Sequence, residues 1–201
     1  MNRPTVFIVD DDAGVRDSLA MLLELKGFRT RTFAAAEAFL AEYRPEWPGC
    51  LVLDLRMPGM TGLELQAELA RRGSGLPVII ITAHGDVATT RSALKGGAVD
   101  FIEKPIDDEA LVAAIAAALD RDARSRERAQ AAAGAAERLA RLTGREREVL
   151  ALVAEGRHNR EIAVALGISP RTVEVYKARM MEKLQVRRLP DLVRLVLENQ
   201  R

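Results

Sequence analysis

One cysteine rules out an internal disulfide. Cys50 lies in the apolar run Cys50-Leu51-Val52-Leu53, where a thiol is inert packing rather than a nucleophile, and a single cysteine fits a reducing compartment. Aromatics make up only 4% of the chain, so aliphatic side chains must fill the core. No His/Cys pair has zinc spacing. The longest apolar stretch, Leu111 to Leu119, is about half of what a membrane span needs. The start, Met1-Asn2-Arg3-Pro4, leads straight into a strand-like run without a charged segment and long apolar stretch, so no signal peptide and no membrane are expected. The expected compartment is the cytoplasm.

What is present is a charge asymmetry. Residues 1–120 hold 12 Lys/Arg against 18 Asp/Glu, net −6, whereas residues 121–201 hold 18 against 11, net +7. An acidic half joined to a basic half suggests two tasks, one involving a cation and the other nucleic acid. With 48% hydrophobic residues among 201, either half can bury a core.

The first half alternates strands and helices. Strands are expected at Thr5–Val9, Phe28–Phe33, Leu51–Leu53, Pro77–Ile81 and Val99–Ile102. Between them the 3.6-residue period predicts helices at Val15–Lys26, Ala35–Tyr43, Gly62–Arg72 and Val87–Lys95, and another begins near Asp107. Five βα repeats with continuously apolar strands imply an α/β, doubly wound, five-stranded parallel sheet covered on both faces. Residues 121–138 are rich in Ala, Arg and Glu and read as a helical linker, with Gly134 its weak point. Its apolar heptads are too poor for a coiled coil. Residues 139–201 read as all helix, a four-helix unit. Thr143-Gly144-Arg145-Glu146 is a capping box, Asn159 can cap Arg160–Leu166, and Ser169-Pro170 opens a helix reaching Leu184. A fourth helix is expected near Pro190.

Ligands of open parallel sheets bind beyond the carboxyl ends of the strands. At those ends stand Asp10, Asp11 and Asp12 after the first strand and Asp54 after the third. Thr82 and Ala83 follow the fourth, Glu103 and Lys104 the fifth. Clustered carboxylates repel unless a cation joins them, and an oxygen-only donor set suits Mg²⁺. A carboxylate can accept a phosphoryl group when cations neutralise the transferred charge. Lys104 supplies one such charge, and the Thr82 hydroxyl can donate to a phosphoryl oxygen. Asp12 alone reads rather as a turn former or helix cap.

Four motifs carry a resemblance: Val9-Asp10-Asp11-Asp12, Leu53-Asp54 through Thr61-Gly62, Ile81-Thr82-Ala83-His84-Gly85-Asp86, and Gly97-Ala98-Val99-Asp100-Phe101-Ile102-Glu103-Lys104-Pro105. Residues 3–120 resemble the receiver domain of bacterial response regulators, with residues 1–120 as its span. The resemblance implies that a partner sensor histidine kinase phosphorylates Asp54. It also implies that Asp11, Asp54 and the backbone carbonyl of Arg56 bind Mg²⁺, with Asp10 assisting. Thr82 and Phe101 would form the switch pair, and Lys104 would contact the phosphoryl group. The Lys104-Pro105 bond is often cis in such domains. The helix Val87–Lys95 with the fifth strand would form the homodimer interface.

In the basic half, residues 158–184 have helix-turn-helix spacing, with Gly167-Ile168-Ser169 as the turn. Ile162, Ala163, Leu166, Ile168, Val173 and Tyr176 are spaced to pack the two helices together. The outward positions mix cations with short and polar groups, as a recognition helix needs. A basic hairpin that binds protein instead has the same pattern. The runs Leu142–Leu150, Asn159–Ala163 and Ile168–Tyr176 resemble the four-helix DNA-binding domain of the LuxR type. The whole is similar to the FixJ-like subfamily of two-component response regulators. Glu174, Val175 and Ala178 are the base-edge candidates, and Arg171, Thr172, Lys177, Arg179 and Lys183 the phosphate candidates. Several relatives carry lysine where Glu174 and Ala178 stand, so their operator preference does not carry over. Promoter DNA and RNA polymerase are the implied partners. The only enzyme-like chemistry implied is slow, Mg²⁺-dependent self-phosphorylation and self-dephosphorylation.

Two other readings remain at this stage. Mg²⁺-dependent phosphatases also use an aspartyl nucleophile on a parallel sheet, but need a second acid two residues on, where this chain has Arg56. A receiver that merely dimerises, independently of phosphorylation, is the other.

Overall fold

A computed structural model describes residues 3–83, 87–188, 190–192 and 194–195, with the side chains of 87–89 left aside. His84, Gly85 and Asp86 of the third motif lie outside the described residues. The described chain forms two compact units, divided between Arg126 and Glu127.

The first unit runs β1 (Thr5–Val9), α1 (Ala13–Leu25), β2 (Arg29–Phe33), α2 (Ala36–Glu42), β3 (Gly49–Asp54), α3 (Gly62–Arg71), β4 (Val78–Thr82), α4 (Val87–Lys95), β5 (Asp100–Glu103) and α5 (Asp108–Ala140). All strand pairs are parallel, in the order β2-β1-β3-β4-β5. Successive strand residues point to opposite faces, and the two cores follow that alternation. Phe7, Val9, Leu51, Leu53, Val78 and Ile80 pack with Phe39 of α2, Leu65 and Leu69 of α3, and Ala93 of α4. Val6, Ile8, Val52, Ile79 and Ile81 pack with Leu19 and Leu23 of α1 and with Leu111, Ile115 and Ala118 of α5. Each such large aliphatic side chain stabilises the fold by about 2 kcal/mol. Cys50 sits in the second cluster, where burial pushes its thiol up to about 12.

Local chemistry sets the helix ends. Asp12 caps α1 by accepting from the Gly14 and Val15 N–H groups, so that helix starts two residues before the predicted Val15. Thr61 and Glu64 form a capping box on α3. Asp107 accepts from Glu109 and Ala110 at the start of α5. α5 does not stop where a linker was expected. It is continuous through Ala140, and its residues up to Arg126 belong to the first unit. No helix among the described residues is long and apolar enough to cross a membrane.

The second unit contains α6 (Gly144–Ala154), α7 (Asn159–Leu166) and α8 (Pro170–Leu184), and residues Pro190–Leu192 are helical as well. Its core holds Leu142, Val149, Val153, Ile162, Ala163, Val173, Met180, Leu184 and Leu192. Leu166, Ile168 and Tyr176 pack against it partly buried, so all six predicted hairpin contacts lie at this core. One predicted cap is corrected. His158 is the cap of α7, because the Glu161 carboxylate reaches back to the His158 N–H; Asn159 is the first helical residue, and its side chain accepts from Lys177 instead.

Candidate functional site

The strand order places β1 beside β3 at the point where connections run to either side, which is where such sheets form a crevice at their carboxyl ends. Asp54 ends β3, and Asp10 and Asp11 follow β1. Asp10 is 3% exposed and Asp54 7%, while Asp11 is exposed. Lys104, just past β5, donates to Asp10 Oδ2 at 2.9 Å and to Asp54 Oδ1 at 2.8 Å. The other Asp54 oxygen accepts the Arg56 N–H at 2.7 Å, and Asp10 Oδ1 accepts the Asp12 N–H. Arg16, which sequence reasoning missed, donates to the carbonyls of Asp10 and Asp11 and pins the loop from behind. Thr82 is buried at the end of β4, opposite Glu103 in register. Phe101 is half-buried against the first core cluster. The Lys104-Pro105 bond is cis. A cavity of about 680 Å³ opens beside Lys104, lined also by Asp12, Ser18, Leu22 and Ile106.

Burial pushes the Asp54 carboxyl above its ordinary value; bonds from Lys104 and Arg56 pull the other way, and Asp10 adds to the rise. Burial also works to lower Lys104, but its bonds to Asp54 and Asp10 outweigh that and hold the ammonium above its ordinary value. Two buried carboxylates thus share one cation, leaving net negative charge among oxygen donors. A hard divalent ion fits that description. No group of three His, Cys, Asp or Glu side chains among the described residues closes into a metal-holding cluster. An ion here would therefore also draw on backbone and water oxygens.

Gly62 keeps the site compact. A Cβ on it would lie 2.4 Å from the Asp54 carbonyl oxygen and 3.0 Å from the Leu55 Cα. Gly62→Ala is expected to push α3 off the end of β3 and destabilise the first unit by about 1–3 kcal/mol. Thermal unfolding of the two chains checks this; equal midpoints would mean that the backbone yields without cost.

In the second unit, Arg171, Glu174, Val175, Ala178 and Arg179 stand exposed on α8, while Val173 and Met180 face the core. Thr172 is half-buried, with its N–H and hydroxyl on the Ser169 cap. Lys177 is half-buried against Asn159, and burial lowers its pKa against the pull of Glu174. Lys183 is half-buried and held by an ion pair within the unit. It donates at 2.7 Å to Glu146, which is 3% exposed and completes the Thr143 capping box. Burial works to raise the Glu146 pKa, but the Lys183 and Thr143 bonds outweigh it and hold the carboxyl below its ordinary value.

An open five-stranded parallel sheet with acidic carboxyl ends, joined to a helix-turn-helix unit, defines a class. The chain belongs to the response regulators, as a receiver domain followed by a LuxR-type DNA-binding domain: residues 6–116 match the response regulator receiver domain and residues 140–196 the bacterial regulatory proteins of the luxR family. It is a transcriptional regulator of a two-component system, not a classical enzyme. The transcriptional regulatory protein FixJ of Azorhizobium caulinodans is 48% identical over 192 residues, 96% of this chain and 91% of that protein. The C4-dicarboxylate transport transcriptional regulatory protein DctR of Rhodobacter capsulatus is 46% identical, over 95% of this chain and 98% of that one. Among solved structures, the response regulator StyR matches with a TM-score of 0.89 at 46% identity, covering 98% of this chain and 99% of that one. Full-length FixJ from B. japonicum matches with a TM-score of 0.61 at 40% identity, covering 100% and 98%.

Proposed function

We propose that Asp54 accepts a phosphoryl group from a sensor histidine kinase and that the added charge drives dimerisation and promoter binding. What supports this is the Lys104 ammonium, 2.8 Å from Asp54 and 2.9 Å from Asp10, at the carboxyl end of the sheet. In the transfer, an Asp54 carboxylate oxygen forms a bond to phosphorus as the bond from phosphorus to the kinase histidine nitrogen breaks. Lys104 stays on the transferred oxygens as a fixed charge, and the Arg56 N–H holds the second Asp54 oxygen. Asp11, Asp54 and the Arg56 backbone carbonyl would hold Mg²⁺, with Asp10 assisting. When bound, Mg²⁺ supplies the positive charge that offsets the incoming phosphoryl group. The same site would load slowly from a small phosphodonor and slowly lose its phosphoryl group to water.

The new oxygens draw the Thr82 hydroxyl, and Phe101 turns into the space it leaves. That repacks the face made by α4 and β5, where two copies join. The dimer places two α8 helices on promoter DNA. Arg171, Thr172, Lys177 and Arg179 contact phosphates, and Glu174, Val175 and Ala178 face base edges. Lys183, tied to Glu146, adds less than a free lysine would. RNA polymerase is the downstream partner, and the cytoplasm the place of work. The receiver spans residues 1–120, the linker 121–138 and the DNA-binding domain 139–201, with the first six linker residues held against the receiver in the first compact unit.

The test uses the full chain with a small phosphodonor and Mg²⁺, measuring gel-filtration mass and affinity for a bound promoter fragment. Both should rise. No change in either, with Asp54 demonstrably modified, sinks the switching reading. On the DNA side, Arg171→Ala should weaken binding alike on every sequence and reduce the salt slope by about 1. Glu174→Ala should instead relax preference at one base pair, by about 1–3 kcal/mol. A sequence-dependent loss for Arg171→Ala would reassign it to base reading.

A further inference from the structure

Asp122 is out of place for a linker residue. It is 3% exposed, and it is the one buried residue between 121 and 134, in a stretch otherwise almost wholly solvated. It lies past residue 116, where the match to the receiver family ends. Its Oδ2 accepts the Gly49 N–H at 2.9 Å, and both its oxygens accept from Arg126 Nε, at 2.9 and 2.8 Å. The Arg126 guanidinium in turn donates to the carbonyls of Pro45, Glu46 and Trp47, at 3.1, 3.2 and 2.5 Å. The Pro48 carbonyl accepts from the Thr5 N–H. Two side chains one helical turn apart therefore stitch α5 to the segment that leads into β3. A Cβ on Gly49 would lie 1.9 Å from the Thr5 carbonyl oxygen, so this segment sits directly against the start of β1. Trp47 stacks on Phe7, with ring centroids 5.8 Å apart.

A buried carboxylate is costly unless its partners compensate it. Here the compensation is complete, and it joins the helix to the end of the sheet opposite Asp54. We propose that Asp122 and Arg126 are positioning residues for signal output: a latch that makes α5 rigid with the receiver as far as Arg126. α5 already packs on the sheet through Leu111, Ile115 and Ala118. The latch extends that attachment to Arg126, so a repacking of the sheet reaches the last turn of α5 that belongs to the first unit. Without it, the turns from Asp120 to Arg126 have no other buried side chain to hold them to the sheet and fray. This rests on the phosphorylation reading above.

The experiment uses the full chain with Arg126→Met, Arg126→Lys and Asp122→Asn, a small phosphodonor with Mg²⁺, and a promoter fragment that the wild type binds. In Arg126→Met, the backbone amides of 121–128 should exchange about tenfold faster. The phosphorylation-driven gain in DNA affinity should shrink about fivefold. Phosphoryl uptake and affinity of the unphosphorylated chain should stay as in the wild type, because Asp54 and α8 are untouched. Arg126→Lys, which keeps the charge but cannot span three carbonyls, should fall between. Fluorescence of Trp47, the chain's only tryptophan, reports whether the 45–49 segment has loosened. Asp122→Asn, which keeps the shape, repeats the test should Arg126→Met unfold. A wild-type affinity gain that the variants retain in full overturns the latch alone, as do amides that exchange no faster. A wild type with no gain overturns the phosphorylation reading and the latch with it.

Discussion

Asparagine at position 54 should end phosphorylation: intact mass after treatment with a phosphodonor and Mg²⁺ should show no added phosphoryl group, and promoter affinity should no longer respond. The carboxamide keeps the shape of the side chain, but its single oxygen can accept from only one of the Arg56 N–H and Lys104, which bond different Asp54 oxygens. What it lacks is a nucleophilic anion, and among the described residues no other carboxylate at this end is both buried and held by the ammonium except Asp10. A variant that still gains one phosphoryl group would move the acceptor to Asp10 or Asp11. The same substitution has a thermal signature. Burial raises the Asp54 pKa in the folded chain. A raised carboxyl binds its proton more tightly folded than unfolded, so its contribution is fully present below the ordinary value of 3.8 and is lost as pH rises through the higher folded value. The melting midpoint of wild type minus Asp54→Asn should therefore grow as pH falls from neutral into the carboxylate range. Other carboxylates titrate in both chains, so the difference isolates this group. A difference that shrinks over that window would mean the folded carboxyl sits below, not above, its ordinary value.

The second large effect is expected at Glu146→Ala. Glu146 accepts the Thr143 N–H at 2.7 Å and the Lys183 ammonium at 2.7 Å, and it is almost wholly buried. Alanine removes half of the capping box, leaves the Thr143 N–H before α6 without its partner, and frees Lys183 at the far end of α8. Loss of such a cap alone costs about 1 kcal/mol, and a broken ion pair with one buried partner adds on the order of 1–2 kcal/mol. The DNA-binding unit should lose about 2–3 kcal/mol of stability, measured by denaturant unfolding of the full chain. Promoter affinity should fall too, because α8 loses its tie to α6. The melting of the receiver should not change. Gln at 146 keeps the bond to the Thr143 N–H and should recover roughly half of the loss. Stability equal to wild type in Glu146→Ala would show that Lys183 and Thr143 find water at no cost.

The layout of the fold was legible because its signals are local or periodic. Val87–Lys95 and Pro170–Leu184 have the bounds expected from their sequence, and Asp54 ends a strand as the apolar run implied. Asp10, Asp54 and Lys104 could be assembled on paper because sheet topology, not pairwise chemistry, brings strand ends together. What the sequence does not show is long-range charge pairing and, at α7, which residue caps the helix. Asp122–Arg126 and Asp120–Arg124 have the same i,i+4 spacing and look alike in sequence. One pair is tied to Gly49, 73 residues away, and the other is exposed, so only the fold separates them. Lys183 read as one more cation on a basic helix because its partner lies 37 residues upstream. Side-chain preference makes Asn159 the expected cap, whereas the reach of Glu161 to His158 sets the start of α7.

The Lys104 bridge also ties signalling to folding. Its two partners lie 94 and 50 residues away along the chain, on the ends of β1 and β3. Contacts that distant carry a large loop-closure cost and need most of the sheet in place. A chain in which β5 has not paired with β4 has carboxylates but no ammonium among them. On the proposed reading, phosphoryl uptake would be a readout of sheet completion, and a nascent or misfolded copy would be silent to its kinase.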